Sequence, residues 1–288
     1  MTYALDVLDL PRDPALARAM GGGKAANLAV MARDLRLPVP PAFVLTTETC
    51  RTYLAHGWPP ELDSELRKRM AQLETRVGRR YGDPADPLLV SVRSGAPVSM
   101  PGMMDTILNL GLDQATVAGL AAAAGDAEFA RSCHERLEAS FRSVVGIDLP
   151  DDPWRQLRLA IEAVFRSWQS SRAQTYRLRE GIADDLGTAV TIQAMVFGNR
   201  GTDSATGVLF TRDPATGAPT LFGDVLFDAQ GEDVVAGTHA TRPIAYLDER
   251  LPRVASELRV AADQLERHAA DLCDIEFTIE EGRLWLLQ

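Results

Sequence analysis

The chain has 288 residues, 46% of them hydrophobic, which is enough for one large or two modest domains with a substantial core. Its formal net charge of −10 and its pI near 5.0 argue against a nucleic-acid-binding protein and favour a small anion as partner. The sequence shows neither a signal peptide nor an apolar run long enough to span a bilayer, so we expect a cytoplasmic protein without membrane contact.

The first third of the chain is predicted to alternate helices and short strands. A glycine turn at residues 21–23 leads into a helix that continues to residue 35, because Ala25, Leu28 and Ala32 recur on one face. After a proline-rich stretch, an apolar strand is expected at residues 42–45, followed by a helix that begins near Thr46 or Thr47. The spacing of apolar residues in 61–81 predicts a solvated amphipathic helix.

The middle of the chain is predicted to be helical and the last third to be rich in strands. Helices are expected at residues 116–124, 127–145 and 154–178, with a break at 148–153. Runs of β-branched and aromatic residues between glycine turns predict strands at 189–197, 207–211, 220–227 and 275–287, interrupted by an amphipathic stretch at 248–272. This order of elements predicts a mixed α/β fold.

The cysteines and histidines indicate no nucleophile or zinc site. Cys50, Cys133 and Cys273 are widely spaced and form no Cys-x-x-Cys pair, so we expect buried free thiols. The histidines are scattered among helices and loops, and none lies beside a serine or cysteine nucleophile signature: His56, His134, His239 and His268. We expect each of them to be structural or solvated.

Lys24 draws attention because the chain has only two lysines, Lys24 and Lys68, among its 30 basic residues. A compact, rotatable ammonium is chemically distinct from a planar guanidinium, so a lysine in such an arginine-rich chain indicates a specific role. Three glycines precede it, and the backbone amides of a glycine turn at a helix N-terminus can bind phosphate. A plain glycine turn with a solvated lysine is the alternative on this evidence alone.

Residues 88–112 begin as a buried strand and continue as a small flexible turn, an arrangement typical of a phosphate-binding loop. Arg93 is expected at the end of the strand, where its guanidinium can make paired hydrogen bonds to phosphate oxygens. The Met-Pro-Gly-Met-Met run at 100–104 fits a lid or loop better than a packed helix, although methionines are usually core residues. The more common interpretation of a lone aspartate such as Asp105 is a local helix cap.

Gln193 interrupts an otherwise apolar strand. Alternation places it on the face opposite Ile192 and Ala194, and an amide in such a strand needs a partner, such as an adenine edge or a backbone group. The polar cluster at 228–233 follows the next predicted strand but one, where it could contact a ribose or simply turn the chain.

The C-terminal segment carries two acids with strand spacing. Asp274 and Glu276 are predicted to point to one face, while Ile275 and Phe277 point to the core. Two carboxylates on one face repel each other unless a cation lies between them, which is the usual geometry of a magnesium site. After a turn at 281–282 the chain is expected to return as a hairpin and to bring Gln288 toward Glu276. An exposed sheet face with solvated acids is the alternative.

These segments, in this order, resemble the N-terminal nucleotide-binding domain of pyruvate phosphate dikinase. That domain is an ATP-grasp domain, shared more distantly with phosphoenolpyruvate synthase and rifampin phosphotransferase. The resemblance covers nearly the whole chain and is carried by residues 22–28, 91–112, 193–199, 229–237 and 274–288. It implies two lobes around a nucleotide cleft: a first lobe at 1–112, a helical insert at 113–150, a return to the first lobe with the hinge at 151–196, and a second lobe at 197–288.

The resemblance implies a role for each matching residue of the first segments. Lys24 and Arg93 would bind the triphosphate and act as the catalytic residues. Gly102 and Thr106 would lie in the loop over the phosphates.

Further along the chain, the resemblance implies contacts to the base, the hinge and the metal. Gln193 would lie beside the adenine, residues 195–197 would form the hinge between the lobes, and Met195 and Val196 of that hinge would also bind the nucleotide. Asp274, Glu276 and Gln288 would hold Mg²⁺. Glu276 and Gln288 would also bind the nucleotide. The expected cofactors are therefore ATP and Mg²⁺.

The sequence also departs from the family pattern. In the full dikinase a separate domain carries a phosphate-accepting histidine in a Thr-Ser-His-Ala type motif, and a C-terminal barrel passes the phosphate to pyruvate. This sequence shows neither. The family usually continues after the position of Gln288 with Thr-Arg, whose arginine belongs to the nucleotide site, and the region 113–153 looks shorter than in the dikinases.

We therefore expect a stand-alone phosphotransferase that binds Mg-ATP between two lobes and passes a phosphoryl or pyrophosphoryl group to an acceptor. If the family chemistry holds, the nucleotide product is AMP. The acceptor would be a small molecule or a histidine on a separate phosphohistidine-domain protein. The alternatives are a non-catalytic nucleotide-binding or regulatory module and an excised domain of a larger dikinase.

Overall fold

A computed structural model describes residues 2–235 and 240–288. The chain divides into two compact units: the first comprises Met1–Ala29 and Pro41–Met195, and the second comprises Val30–Pro40 and Val196–Gln288. The segment 30–40 thus groups with the second unit, whereas the division expected from the sequence kept it in the first lobe. Each unit contains one five-stranded sheet with helices, so the predicted mixed α/β class is confirmed.

The first unit is built around a sheet with the strand order β1-β2-β7-β5-β6, in which every neighbouring pair is antiparallel. Two further short strands, β3 and β4, pair in parallel. Its elements in chain order are β1 Ala4–Asp6, α1 Pro14–Ala29, β2 Ala42–Leu45, α2 Thr47–His56, α3 Leu62–Val77, β3 Arg80–Tyr81, β4 Pro87–Leu88, β5 Val90–Gly95, β6 Thr106–Leu110, α4 Gln114–Ala124, α5 Ala127–Val145, α6 Pro153–Ser167, α7 Ser171–Glu180 and β7 Ala189–Ala194.

The second unit is built around a sheet with the order β10-β9-β8-β11-β12, again antiparallel throughout. A π-helical turn, Val30–Asp34, belongs to this unit. Its other elements are β8 Ala205–Phe210, β9 Phe222–Phe227, α8 Gly231–Val235, β10 Arg242–Pro243, α9 Leu247–Arg250, α10 Pro252–Ala269, β11 Asp274–Glu280 and β12 Arg283–Leu286. The predicted hairpin at the end of the chain is confirmed, with positive φ angles at both turn residues, Glu281 and Gly282.

The core of the first sheet comes from one apolar face. Val92 on β5 pairs with Ile192 on β7, and Ile192 pairs with Phe43 on β2. All three side chains are buried, and helix α6 contacts β5, β6 and β7. Because side chains alternate between the two faces of a strand, the residues that precede and follow each of these three along its strand must point to the other face.

Some predicted element boundaries are confirmed and others are wrong. Thr46 caps helix α2 by accepting a hydrogen bond from the backbone N–H of Thr49, as expected. The single helix predicted at 154–178 is instead two helices, α6 and α7. The side chain of Ser170 accepts a hydrogen bond from the N–H of Ala173 and starts α7 as a new helix. The buried Trp168 had continued the apolar periodicity across this break.

The glycine turn lies inside helix α1 and not before it, which corrects the predicted helix start. The helix begins at Pro14, and Gly22 interrupts it with non-helical angles of φ 74° and ψ 169°. A Cβ atom on Gly22 would lie 1.8 Å from the carbonyl oxygen of Gly95 at the end of β5. The kink therefore requires glycine both for its backbone angles and for the close approach of the two backbones.

The cysteine prediction is confirmed for two of the three residues. All three cysteines are free thiols, and Cys50 and Cys133 are buried, whereas Cys273 is partly exposed. Burial raises the pKa of Cys50 to about 11, so this thiol is unreactive at neutral pH. In the part of the chain that the structure describes, no helix combines the length and the apolar character that crossing a membrane would require.

We predict that Gly22→Ala lowers the free energy of unfolding by about 3 kcal/mol or more, because the new methyl group clashes with backbone and the φ angle is strained. The matched control is Gly23→Ala, whose Cβ would lie 3.7 Å from the carbonyl oxygen of Ala96, an ordinary contact. It should change stability by less than about 1 kcal/mol. Urea unfolding measures both variants, and equal stability of the two would contradict the proposed backbone contact.

Candidate functional site

The kink in helix α1 brings Lys24 to the end of strand β5. The backbone N–H of Gly23 donates a hydrogen bond of 2.9 Å to the carbonyl oxygen of Ala96, just beyond the strand. A Cβ atom on Gly95 would lie 3.7 Å from the Cβ of Lys24. The half-buried Lys24 therefore lies beside the end of strand β5, and Arg93 is on the same strand, as the phosphate-site interpretation requires.

Arg93 lies inside strand β5, which continues to Gly95, so the prediction that it ends the strand is wrong. Strand register places Arg93 in a polar row across the first sheet. Arg93 pairs directly with Thr106 on β6 and with Thr191 on β7. Directly paired residues of antiparallel strands point to the same face, so these three side chains are neighbours. Two residues along, Ser91 pairs with Gln193 on the same face. One face of the sheet is therefore polar at its centre, opposite the apolar core face.

Gln193 is placed as predicted, on the face opposite Ile192, and its side chain is buried. The main-chain carbonyl oxygen of Gln193 accepts a hydrogen bond of 3.5 Å from the hydroxyl of Ser91. Met195 ends the first unit, where its N–H donates to the carbonyl oxygen of Leu89 at 2.9 Å, and Val196 begins the second unit. Their role as a hinge stays a prediction.

The methionine-rich segment is both a loop and part of the core. Residues 101–104 form turns, as expected, yet Met100 is buried against Ala96, Trp168 and Ala173. Gly102 is exposed with φ 69°, and open space surrounds the position where its Cβ would lie. This glycine is therefore needed for the turn conformation, and its backbone is accessible to a ligand.

The helix-cap interpretation of Asp105 is wrong. The residue precedes strand β6, which starts at Thr106, so there is no helix for it to cap. Its carboxylate instead accepts a hydrogen bond of 2.7 Å from the guanidinium of Arg172, on helix α7.

The acids of the second unit alternate with core residues as predicted. Ile275 and Phe277 are buried, while Asp274 and Glu276 point to the other face of strand β11. Partial burial, and secondly the negative charge of Glu276, raise the pKa of Asp274. The charge of Glu276 thus disfavours the ionised form of Asp274 in the folded protein.

Gln288 returns to Glu276, as the hairpin prediction required. The carbonyl oxygen of Gln288 accepts a hydrogen bond of 3.1 Å from the N–H of Glu276, and Leu287 donates to the carbonyl of Glu276 at 2.8 Å. The side-chain Oε1 of Gln288 is buried and has no hydrogen-bond partner among the residues described.

The donor set of this hairpin fits a hard divalent cation. Two carboxylates and one amide oxygen are the ligand types that Mg²⁺ prefers, and this metal usually takes only one or two carboxylates plus water and phosphate oxygens. Within residues 2–235 and 240–288, no group of three or more His, Cys, Asp or Glu side chains could hold a metal ion. A cation at Asp274 and Glu276 would therefore need oxygens from a bound ligand to complete its coordination.

Thr191 is a candidate that the sequence interpretation missed. Its side chain is 1% exposed, and its hydroxyl oxygen has no hydrogen-bond partner in the described part of the chain. A Cβ atom on Gly95 would lie 4.0 Å from this oxygen, so the hydroxyl lies close to the strand end beside Lys24. The alternation that singled out Gln193 also places Thr191 on its face, and this signal could have identified the residue.

The predicted site residues divide between the two units. Lys24, Arg93, Gly102, Thr106, Gln193 and Met195 belong to the first, and Val196, Asp274, Glu276 and Gln288 belong to the second. Within their own units, Lys24 lies beside Gly95 on the strand that carries Arg93, and Gln288 lies near Glu276. The motif at 229–237 runs past the described residues at positions 236 and 237, and His239 also lies outside them.

Comparison with known proteins identifies one family. Residues 55–251 match the family described as pyruvate phosphate dikinase, AMP/ATP-binding domain. The chloroplastic pyruvate, phosphate dikinase of Flaveria pringlei is 42% identical over 320 residues, which cover 94% of this chain and 33% of that protein. The dikinase of Rickettsia conorii is 40% identical over 321 residues, covering 93% of this chain and 36% of its own length.

The matched region is a part of those relatives. This chain spans about a third of the length of the curated relatives it matches. The aligned length of 320 positions exceeds the 288 residues of this chain, so the relatives carry insertions relative to it. Where those insertions fall, and hence whether the region 113–153 is the shortened part, stays a prediction.

Among solved structures, D-alanyl-alanine synthetase A from Vibrio cholerae aligns over 95% of this chain and 55% of its own, with 12% sequence identity and a TM-score of 0.41. The sequence matches have far higher identity and agree on one family. They show that the chain belongs to the pyruvate phosphate dikinase AMP/ATP-binding domain family, which confirms the family predicted from its sequence.

Proposed function

We propose that this chain binds Mg-ATP and transfers a phosphoryl or pyrophosphoryl group to a separate acceptor. Family membership supports the nucleotide, because the matching family is an AMP/ATP-binding domain. The dikinase relatives support the transfer chemistry, although this chain corresponds to only about a third of their length.

The observation that carries the proposal is that Lys24 lies beside the end of strand β5, the strand that carries Arg93. A triphosphate is a polyanion, and the positive charges of Lys24, next to the glycine turn, and Arg93, on strand β5, match its negative charge. The only other lysine, Lys68, lies on helix α3 and forms an exposed ion pair with Glu65 at 3.6 Å. The lysine of the glycine turn is therefore distinct from a generic surface cation.

Catalysis in this proposal consists mainly of positioning and charge neutralisation. The acceptor's lone pair attacks one phosphorus of ATP, and the bond from that phosphorus to its bridging oxygen breaks. Attack at the β-phosphorus transfers a pyrophosphoryl group and releases AMP, whereas attack at the γ-phosphorus transfers a phosphoryl group and releases ADP. Lys24 and Arg93 would stabilise the negative charge that develops on the transferring group and the leaving oxygen.

Magnesium would be held by the carboxylates of Asp274 and Glu276 and the amide oxygen of Gln288. When bound, it would neutralise phosphate charge. Gln288 supplies a buried oxygen without a partner among the described residues, and Asp274 and Glu276 place two carboxylates on one face of strand β11. The chain's own contribution is to keep these donors on one face of strand β11.

The acceptor is proposed to be a small molecule or a histidine on a separate protein. The proposal is tested by incubating the chain with Mg-ATP and candidate acceptors, including a dikinase phosphohistidine domain, and separating AMP from ADP by ion-exchange chromatography. AMP formation that depends on the acceptor supports pyrophosphoryl transfer, and ADP as the sole product supports phosphoryl transfer. Tight ATP binding without turnover, whatever the partner, would instead support the non-catalytic module.

We predict that Lys24→Ala and Arg93→Ala each lower turnover by about 10²–10³-fold, because each removes a cation from the developing phosphate charge. Both side chains are only half-buried, so the variants should stay folded, and the melting temperature is measured beside turnover to check this. Lys68→Ala is the matched control, since it removes the other lysine from an exposed ion pair. Wild-type rates in the Lys24 variant, or an equal loss in the Lys68 variant, would refute the site assignment.

We predict that Thr191→Val makes the protein more stable and a weaker ATP binder. Valine replaces an unpaired buried hydroxyl with a methyl group, which should add about 1 kcal/mol to the free energy of unfolding. Loss of a hydrogen bond to phosphate should weaken ATP binding by about fivefold to tenfold.

The control for that variant is Thr49→Val. The buried hydroxyl of Thr49 donates a hydrogen bond of 2.7 Å to the carbonyl oxygen of Tyr3, so this variant should lose stability and keep its ATP affinity. Chemical unfolding and isothermal titration calorimetry measure the two effects separately. An unchanged ATP affinity in Thr191→Val would remove Thr191 from the site.

We predict that Asp274→Asn raises the melting temperature at pH 7, without divalent cations, by about 1–2 °C. Because the folded-state pKa of Asp274 is raised, its ionised form destabilises the folded protein above that pKa. The difference from wild type should therefore disappear as the pH falls below the carboxyl's unfolded-state pKa. Millimolar Mg²⁺ should stabilise wild type more than the variant.

Thermal denaturation between pH 3 and pH 7, with and without Mg²⁺, checks this prediction. Asp263→Asn on helix α10 is the control, because that acid forms only a surface ion pair with Arg267. It should leave the response to Mg²⁺ unchanged. Equal stabilisation of wild type and Asp274→Asn by Mg²⁺ would contradict the metal assignment.

A further inference from the structure

Helix α7 contacts the loop around Gly102, residues 100–105, through one arginine. The Nε of Arg172 donates a hydrogen bond of 3.1 Å to the carbonyl oxygen of Met103, and its Nη2 donates one of 2.7 Å to the carboxylate of Asp105. One planar guanidinium thus contacts two loop residues on either side of Met104. Such a two-point contact restrains the backbone conformation between them.

Apolar packing holds the same loop on the same helix. Met100 is buried with Trp168 and Ala173, and Met103 and Met104 pack at the edge of this cluster. The loop is therefore fastened by apolar contacts at its start and by Arg172 at its end. Immediately after the second fastening point comes Thr106, which pairs with Arg93.

Helix stability does not explain an arginine at this position. Ser170 caps α7, so Arg172 lies in the first turn, where the helix dipole disfavours a positive charge. The ion pair with Asp105 is also partly exposed, with 52% of the arginine side chain and 29% of the aspartate side chain accessible. Pairs of this kind add little to global stability, so the contact chiefly affects the local order of the loop.

We propose that Arg172 is a positioning residue for the phosphate-binding loop. By fixing Met103 and Asp105, it orders the backbone around Gly102 and sets the position of Thr106 in the row with Arg93. The loop amides would then meet the phosphates without first paying the ordering entropy of a free loop. This inference rests on the proposed function, since it assigns a role in holding the nucleotide.

The test compares Arg172→Ala with Arg179→Ala, a control on the same helix. Arg179 is 84% exposed and pairs only with its neighbour Glu180, at 3.6 Å. Hydrogen exchange of residues 100–106 reports loop order without ATP, and titration calorimetry with Mg-ATP reports affinity. We expect Arg172→Ala to accelerate exchange in this segment about tenfold and to lower ATP affinity or turnover by about 10-fold to 100-fold. Arg179→Ala should match wild type in every measurement.

Two conservative variants separate positioning from charge. Arg172→Lys keeps the charge but cannot form the two-point contact with the same geometry, so it should restore only part of the function. Asp105→Asn weakens the other side of the contact and should reproduce part of the loss. In the double variant Arg172→Ala/Asp105→Asn the losses should not add, because both changes break one interaction.

The inference is overturned if loop exchange in Arg172→Ala equals that of Arg179→Ala. It is also overturned if exchange accelerates while ATP affinity and turnover stay at wild-type values, because the contact would then be purely structural. Failure of wild type to bind ATP is a separate result that refutes the proposed function, and the exchange data on the ligand-free chain remain interpretable in that case.

Discussion

The first unit depends on the contact between the backbones of Gly22 and Gly95. No side chain fits between them, since a Cβ on Gly22 would overlap the carbonyl of Gly95. The hydrogen bond from Gly23 to Ala96 then fixes the kinked helix to the strand end. Residues far apart in sequence, Lys24 and the strand bearing Arg93, become neighbours through backbone contacts alone. The conformation of the glycine turn is thus set by packing against the strand, before any anion is considered.

The register of the sheet fixes the rest of this site. Val92 and Ile192 face the core, so the residues on either side of each along its strand must face the other way. A slip of one residue would turn Arg93 toward the core and Val92 away from it, which disfavours any other register. The apolar row that stabilises the sheet therefore also determines which polar side chains meet. Site geometry and core packing are two consequences of one strand alignment.

Local patterns could be predicted from the sequence, whereas tertiary choices could not. The alternation at 274–277, the strand at 42–45 and the cap at Thr46 follow from rules that act within a few residues. The break between α6 and α7 was hidden, because Trp168 extends the helical periodicity while Ser170 starts a new helix. The contact from Arg172 to Asp105 joins two elements that no local rule connects, and the same holds for the approach of Gly22 to β5.

Among the described residues, buried polar atoms without a hydrogen-bond partner lie beside predicted site residues in each unit. In the described chain, most side chains that have such an atom also form a hydrogen bond or an ion pair: Asp86, Asn109, Arg177 and Arg200. The exceptions are the hydroxyl of Thr191, the indole nitrogen of Trp285 and the amide oxygen of Gln288. Thr191 is in the row of Arg93, and the other two are on strand β12 or just beyond it, beside β11. Each such atom costs about 1–3 kcal/mol of stability, a cost that a bound ligand can offset by supplying the missing partner.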